Sequence, residues 1–187
     1  MLTAKQIVEK GIIFMNPKYM DPSKNEYGLK LELEPAQIGI DLHMVSMAKV
    51  VGKGYIPLKG KTVLAKTEKL EPKVNASGAL TWDLEPGTYE IGLAEGCNFD
   101  EFHCSRITHR SSLYRNATEI NSPWFDPGFH TEEMGTFLTV KMPIEIEVGA
   151  RVCQIPCLTT EEAAELYDGQ WQATKQQHNG DMSHEIK

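Results

Sequence analysis

No run of roughly 18 apolar residues occurs in the chain, so the sequence offers no membrane-spanning helix. Basic residues are outnumbered: a net charge of −7 leaves no long cationic face and argues against a general nucleic-acid binder. The four cysteines form two loose pairs, Cys97 with Cys104 and Cys153 with Cys157. Neither pair has zinc-ligand spacing with nearby histidines, so buried thiols are the expectation. No signal-like leader opens the chain, and the thiols read as reduced in a cytoplasm, that of the host if the chain is viral. Internal repeats and low-complexity blocks are also missing. At 187 residues the length suits a single domain, residues 1–187, with room for a proper core.

What is present falls into three stretches. Residues 3–11 are amphipathic, with Ile7 and Val8 on one side, Thr3 as a cap and Gly11 as a stop, which predicts a short helix within residues 1–12. From residue 29 to 158, short apolar runs alternate with turn formers. Residues 29–33, 88–92, 136–140 and 144–148 predict strands, and many strands at short spacing predict an all-β sandwich or jelly roll. Residues 17–27 and 69–78 read as surface loops, and residues 160–166 as a capped helical turn or two. Residues 168–187 are polar and read as a mobile C-terminal arm.

The chemistry concentrates in two segments. Arg110-Ser-Ser-Leu113 offers a guanidinium, which forks phosphate oxygens bidentately, and two hydroxyls that can donate to the rest. A dozen residues on, Phe125-Asp-Pro-Gly-Phe129 sets a carboxylate on a turn, because Pro presets φ and Gly tolerates φ > 0. Such a carboxylate can order a water or read a sugar hydroxyl. Taken alone, Asp-Pro-Gly is a common turn and Arg-Ser-Ser an ordinary surface stretch. Asp41 lies among apolar residues, where a carboxylate is either paired or functional. His43, His103, His130, His178 and His184 have no usable partner spacing and default to surface or satisfied core positions.

These residues carry a family resemblance. The opening Met1-Leu-Thr-Ala-Lys-Gln-Ile-Val-Glu-Lys-Gly11 resembles the N-terminal helix of dCTP deaminases. Glu34-Pro-Ala-Gln-Ile-Gly-Ile-Asp-Leu42, His109-Arg-Ser-Ser-Leu-Tyr-Arg115, residues 121–129 and Val148-Gly-Ala-Arg-Val-Cys-Gln154 resemble, in order, the four motifs of the dUTPase/dCTP deaminase superfamily. The resemblance implies a distorted, dUTPase-like jelly roll with a short N-terminal helix and a C-terminal arm. It also implies a homotrimer with sites between subunits and a pyrimidine deoxynucleotide as substrate. Asp126 would be catalytic. Arg110, Ser111, Ser112, Arg115, Gln154 and Lys175 would bind phosphates. Asn121, Ser122, Trp124, Phe125, Phe129, Trp171 and Gln172 would bind base and sugar, and Phe129 would exclude a ribose. Asp41 would support the site. Magnesium (Mg2+) would travel on the phosphates, with no protein metal site.

One departure from the deaminase pattern bears on the reaction. Deaminases carry a proton-shuttling glutamate in the strand after the third motif; here that position holds Val140, or Thr136 if no gap is allowed. Glu132 and Glu133 stand nearby. The tail lacks the glycine-rich arm of dUTPases, while Gln170-Trp-Gln172 and Lys175-Gln-Gln177 resemble the deaminase tail. The expected activity is dUTP diphosphatase, giving dUMP and diphosphate. A dCTP deaminase, mono- or bifunctional, is the alternative, and a non-catalytic nucleotide-binding regulator a third. The Pro123-Trp124 pair also leaves a 5-substituted pyrimidine open.

Overall fold

The computed structural model describes residues 1–60 and 62–168. Among the described residues three short helices, α1 (Ala4–Glu9), α2 (Pro17–Met20) and α3 (Ser111–Arg115), accompany sixteen strands. The first eight strands are β1 (Ile13–Met15), β2 (Glu34–Pro35), β3 (Gly39–Val50), β4 (Thr67–Lys69), β5 (Lys73–Val74), β6 (Leu80–Leu84), β7 (Gly87–Leu93) and β8 (Glu95–Asn98). The rest are β9 (His103–Cys104), β10 (Thr108–His109), β11 (Thr118–Asn121), β12 (His130–Thr131), β13 (Gly135–Val140), β14 (Ile144–Glu147), β15 (Arg151–Pro156) and β16 (Leu158–Thr159). The expected all-β fold with a short N-terminal helix is what forms. No helix among the described residues is long and apolar enough to cross a membrane.

The twelve-residue β3 is the spine of the main sheet, which runs β10-β15-β3-β7-β13-β11 with β2 and β4 also paired to β3. Its first half pairs with β15 and β2, its second half with β7 and β4, and register shifts near Met44 and Arg151 mark the changeover. Ile40, Leu42, Met44 and Met47 are buried along it, because a strand covered on both faces reads as a near-continuous apolar run. Smaller sheets β1-β8-β12, β14-β6-β5 and β16-β9 close the core.

Helix α1 starts where its sequence says it should. Thr3 Oγ1 accepts from the Gln6 N–H at 3.3 Å while Gln6 Oε1 accepts from the Thr3 N–H at 2.9 Å, a reciprocal capping box. Gly11, at φ +66°, ends it. Three local expectations fail. Residues 29–33 alternate in burial like a strand, but they join no ladder: the Leu29 N–H donates to Asn25 Oδ1 and the Leu31 N–H to the Tyr19 carbonyl. Residues 160–166 form no helix, since the amides of Thr160 and Ala164 donate to the Phe102 and Glu101 carbonyls instead of to their own chain one turn back. Residues 17–27 and 69–78 are not simple loops. Asn16 caps α2 by accepting from the Lys18 N–H, a 3₁₀ turn follows at Pro22–Lys24, and β5 lies inside the second stretch.

Three cysteines are buried and Cys104 is half-buried; burial pushes the Cys97 and Cys157 thiols up to about 12. The expected default for His43 becomes specific: its Nδ1 lies 2.6 Å from Glu95 Oε1, and its N–H donates to the same carboxylate. Glu95 has no exposed surface. Burial pushes its carboxyl above the ordinary range, and the His43 contacts pull part of that back. Glu95→Ala strands the buried ring and the His43 N–H together, so urea denaturation is expected to show a loss of about 3–5 kcal/mol.

Candidate active site

The Asp126 turn closes as predicted. The Phe129 N–H donates to the Asp126 carbonyl at 3.1 Å, with Pro127 at the second position and Gly128, φ +83°, at the third, the pattern of a type II turn. Ser105 and Phe125 exchange both backbone hydrogen bonds, fixing the near side of this hairpin. Rings then follow one another outward from the core, stacked for Phe99–Phe125 (centroids 6.3 Å apart), tilted for Phe125–Phe129 (5.4 Å) and edge-on for Phe129–Tyr167 (5.7 Å). Phe125, Phe129 and Tyr167 wall a cavity of about 470 Å³ that is also lined by Trp124, Asp126, Glu133, Thr136 and Phe137. Such a volume suits a small organic ligand. Asp126 is exposed and Trp124 half-exposed, whereas Phe125 is buried and mainly packs.

A second site assembles on the other half of the main sheet. Glu34, Asp41, Gln154 and Thr108 form one rung across β2, β3, β15 and β10. Asp41, nearly buried, receives Arg110 Nε at 3.1 Å on Oδ2 and Gln154 Nε2 at 3.2 Å on Oδ1. Arg110 Nη1 also donates to the Arg151 carbonyl at 3.2 Å, and Arg151 Nη1 reaches Glu34 at 3.4 Å. A cleft of about 430 Å³ opens here, lined by Asp41, His109, Arg110, Ser111 and Gln154 with residues 35–37. One guanidinium, one hydroxyl and the two amides of Gln37 and Gln154 suit an anionic ligand.

Thus Arg110, Ser111, Gln154 and Asp41 come together, and so do Trp124, Phe125, Asp126 and Phe129. The two linings share no residue. Ser112 and Arg115 are exposed on α3 and line neither site. Asn121 Nδ2 donates to Thr139 Oγ1, and Ser122 Oγ accepts from the Ile107 N–H, so both brace the hairpin from outside the cavity. Lys175, Trp171 and Gln172 lie outside the described residues. Val140 is buried in the sheet opposite Thr118, whereas Thr136 lines the cavity with its hydroxyl donated to the Asn121 carbonyl. Of the two nearby glutamates, Glu132 is exposed and Glu133 lines the cavity, held through Oε1 by Lys18 at 3.3 Å and Asn16 at 3.4 Å. Sequence reasoning missed Glu34, Arg151 and His109 around the cleft, and Glu90 and Thr67 in the cavity wall. The Thr67 hydroxyl is buried there without a hydrogen-bond partner among the described residues. Glu34, His109 and Arg151 each carried a signal, standing in the same motifs as Asp41, Arg110 and Gln154.

A family model described as dCTP deaminase-like matches residues 24–158. Probable deoxyuridine 5'-triphosphate nucleotidohydrolases from two strains of Halobacterium salinarum are each 32% identical over 134 residues, 72% of this chain and 80% of theirs. In fold, the chain is similar to the 2'-deoxycytidine 5'-triphosphate deaminase of Agrobacterium tumefaciens, with a TM-score of 0.56 at 15% identity. That match covers 85% of this chain and 47% of the solved one, so the chain spans about half the length of that structure. A mostly-β domain with these matches is a member of the dUTPase/dCTP deaminase superfamily. Within it, the chain belongs to the dCTP deaminase-like family.

Gly128 has a second reason to be glycine. A Cβ there would lie 3.0 Å from Leu166 Cβ and 3.1 Å from the Tyr167 nitrogen, whose N–H donates to the Pro127 carbonyl. Gly128→Ala therefore strains the turn by about 1–2 kcal/mol and pushes residues 166–167 off it. Limited digestion with a nonspecific protease should cut between residues 160 and 168 faster in this variant than in the parent.

Proposed function

We propose that the chain is a dUTP diphosphatase, splitting dUTP into dUMP and diphosphate. The observation that carries this reading is a braced cation cleft, Arg110 on Asp41 beside Ser111 and Gln154, together with an aromatic-walled cavity presenting the Asp126 carboxylate. The halobacterial relatives bear names of the same activity. Asp126 orients a water and takes up its proton as the water oxygen bonds to the α-phosphorus. The bond from that phosphorus to the bridging oxygen breaks, and diphosphate leaves. Arg110, Ser111 and Gln154 stabilise charge on the phosphoryl oxygens. Among the described residues no group of three or more His, Cys, Asp or Glu side chains is arranged to hold a metal ion. Magnesium fits this scheme as a partner of the phosphates, where it would neutralise part of their charge. The hairpin at residues 121–125 reads the uracil through its backbone, and Phe129 faces the sugar.

Because cleft and cavity share no residue, a neighbouring copy completes each site in this reading: Arg110 of one chain serves Asp126 of the next, in a homotrimer. Asp126→Asn should abolish turnover in a chromatographic assay of dUTP while leaving nucleotide binding measurable; unchanged turnover sinks the assignment. Arg110→Ala and Asp126→Asn chains, each inactive alone, should regain about a quarter of parental activity when refolded together, since random mixing rebuilds that share of the sites.

Glu133 favours dCTP deamination as the second reading, because it puts a carboxylate into the cavity that Val140 cannot supply. Ammonia release from dCTP that is lost in Glu133→Gln would establish it, and no ammonia from the parent would remove it.

A further inference from the structure

The stretch between Asp41 and Glu68 contains none of the chain's 26 acidic residues, yet it holds Lys49, Lys53, Lys59, Lys61 and Lys66. Most of it leaves the main sheet as a hairpin arm: Tyr55 and Val63 exchange backbone hydrogen bonds at 2.8 Å, and the Val51 N–H donates to the Lys66 carbonyl. The apolar side chains of the arm face outward. Tyr55 is 61% exposed, Ile56 83%, Leu58 98% and Val63 56%. Large apolar groups concentrated this way at the end of a projection mark a contact surface, because leaving them in water forgoes their burial. Lys53, Lys59 and Lys66 are exposed and make no ion pair among the described residues. At the base of the arm, Val50, Leu64, Ala65 and Thr67 form one wall of the aromatic cavity.

We propose that this arm packs on a second copy of the same chain, with Ile56 and Leu58 as its apolar anchors and Lys53, Lys59 and Lys66 meeting acidic surface on that copy. Two observations choose this occupant. All the acidic residues lie outside the arm, so the body of a second copy offers the charge that the arm lacks. The cavity that the arm walls is also the half-site that needs a neighbour's cation cleft, a point resting on the shared-site reading above. Docking the arm then does two jobs: it buries the anchors and brings a neighbour up to the cavity whose wall the arm forms.

The test compares the parent with Ile56→Glu/Leu58→Glu by sedimentation across protein concentration, with circular dichroism to establish that the variant folds. A second variant, Lys53→Glu/Lys59→Glu/Lys66→Glu, keeps the apolar anchors. The expected result is an oligomeric parent, with subunit dissociation strengthened roughly tenfold or more in both variants. If both variants assemble like the parent, the arm proposal falls; rescue in the Arg110/Asp126 mixing experiment would then show that shared sites stand without it. A monomeric parent overturns the proposal as well. So does co-flotation with anionic lipid vesicles that Ile56→Glu/Leu58→Glu abolishes while assembly is unchanged, since the arm would then be a membrane contact.

Discussion

A carboxylate withdrawn from water must find partners, and in this fold Asp41 is where that demand falls. It sits on the central strand with nearly all of its surface covered, so cations and amide donors have to converge on it. Arg110 arrives from the start of α3, Gln154 from β15 and Arg151 from the register shift beside it. Satisfying one buried charge therefore draws two segments far apart in sequence, the start of α3 and β15, onto the strand that carries it. The cleft that results is cationic at its rim and braced from beneath. A guanidinium held by a carboxylate keeps its remaining N–H groups in a fixed orientation, as a site for a planar anion requires.

The same strand connects the two halves of the proposed chemistry. Its first half carries Asp41, and its last residue, Val50, lines the aromatic cavity. The change of pairing partners midway, from β15 to β7, lets one continuous element face both places. On a single chain those places share no lining residue, and it is the proposed function that has a neighbouring copy join them.

Much of this was legible in the residues. Thr3 with Gln6 announced α1, Asp-Pro-Gly announced its turn, and alternating runs announced β7, β13 and β14, because each signal is local and its hydrogen bonds close within a few residues or along a neighbouring strand. The motif residues Arg110, Ser111 and Gln154 were also identifiable, and the structure gathers them. What escaped depends on distant partners. Residues 29–33 have the alternation of a strand but spend their amides on Asn25 and Tyr19. Residues 160–166 have the composition of a helix but are held by carbonyls some 60 residues away in sequence. Glu133 and Glu132 are indistinguishable as neighbours in a sequence; only Asn16 and Lys18, from the N-terminal segment, select one of them for the cavity. Thr67 and Glu90 belong to no motif and enter through sheet geometry alone.

After β16 the chain is stitched down at three points, through the amides of Thr160, Ala164 and Tyr167, and the last stitch is on the turn that bears Asp126. At the opposite end, the Leu2 N–H is tied to the Cys157 carbonyl, beside no cavity residue. Position 168 and the N-terminus are therefore unequal attachment points for a dye or a surface tether. A probe carried on residue 168 stands next to Tyr167 at the wall of the aromatic cavity and reports on whatever enters it; one placed at Leu2 leaves that wall unencumbered.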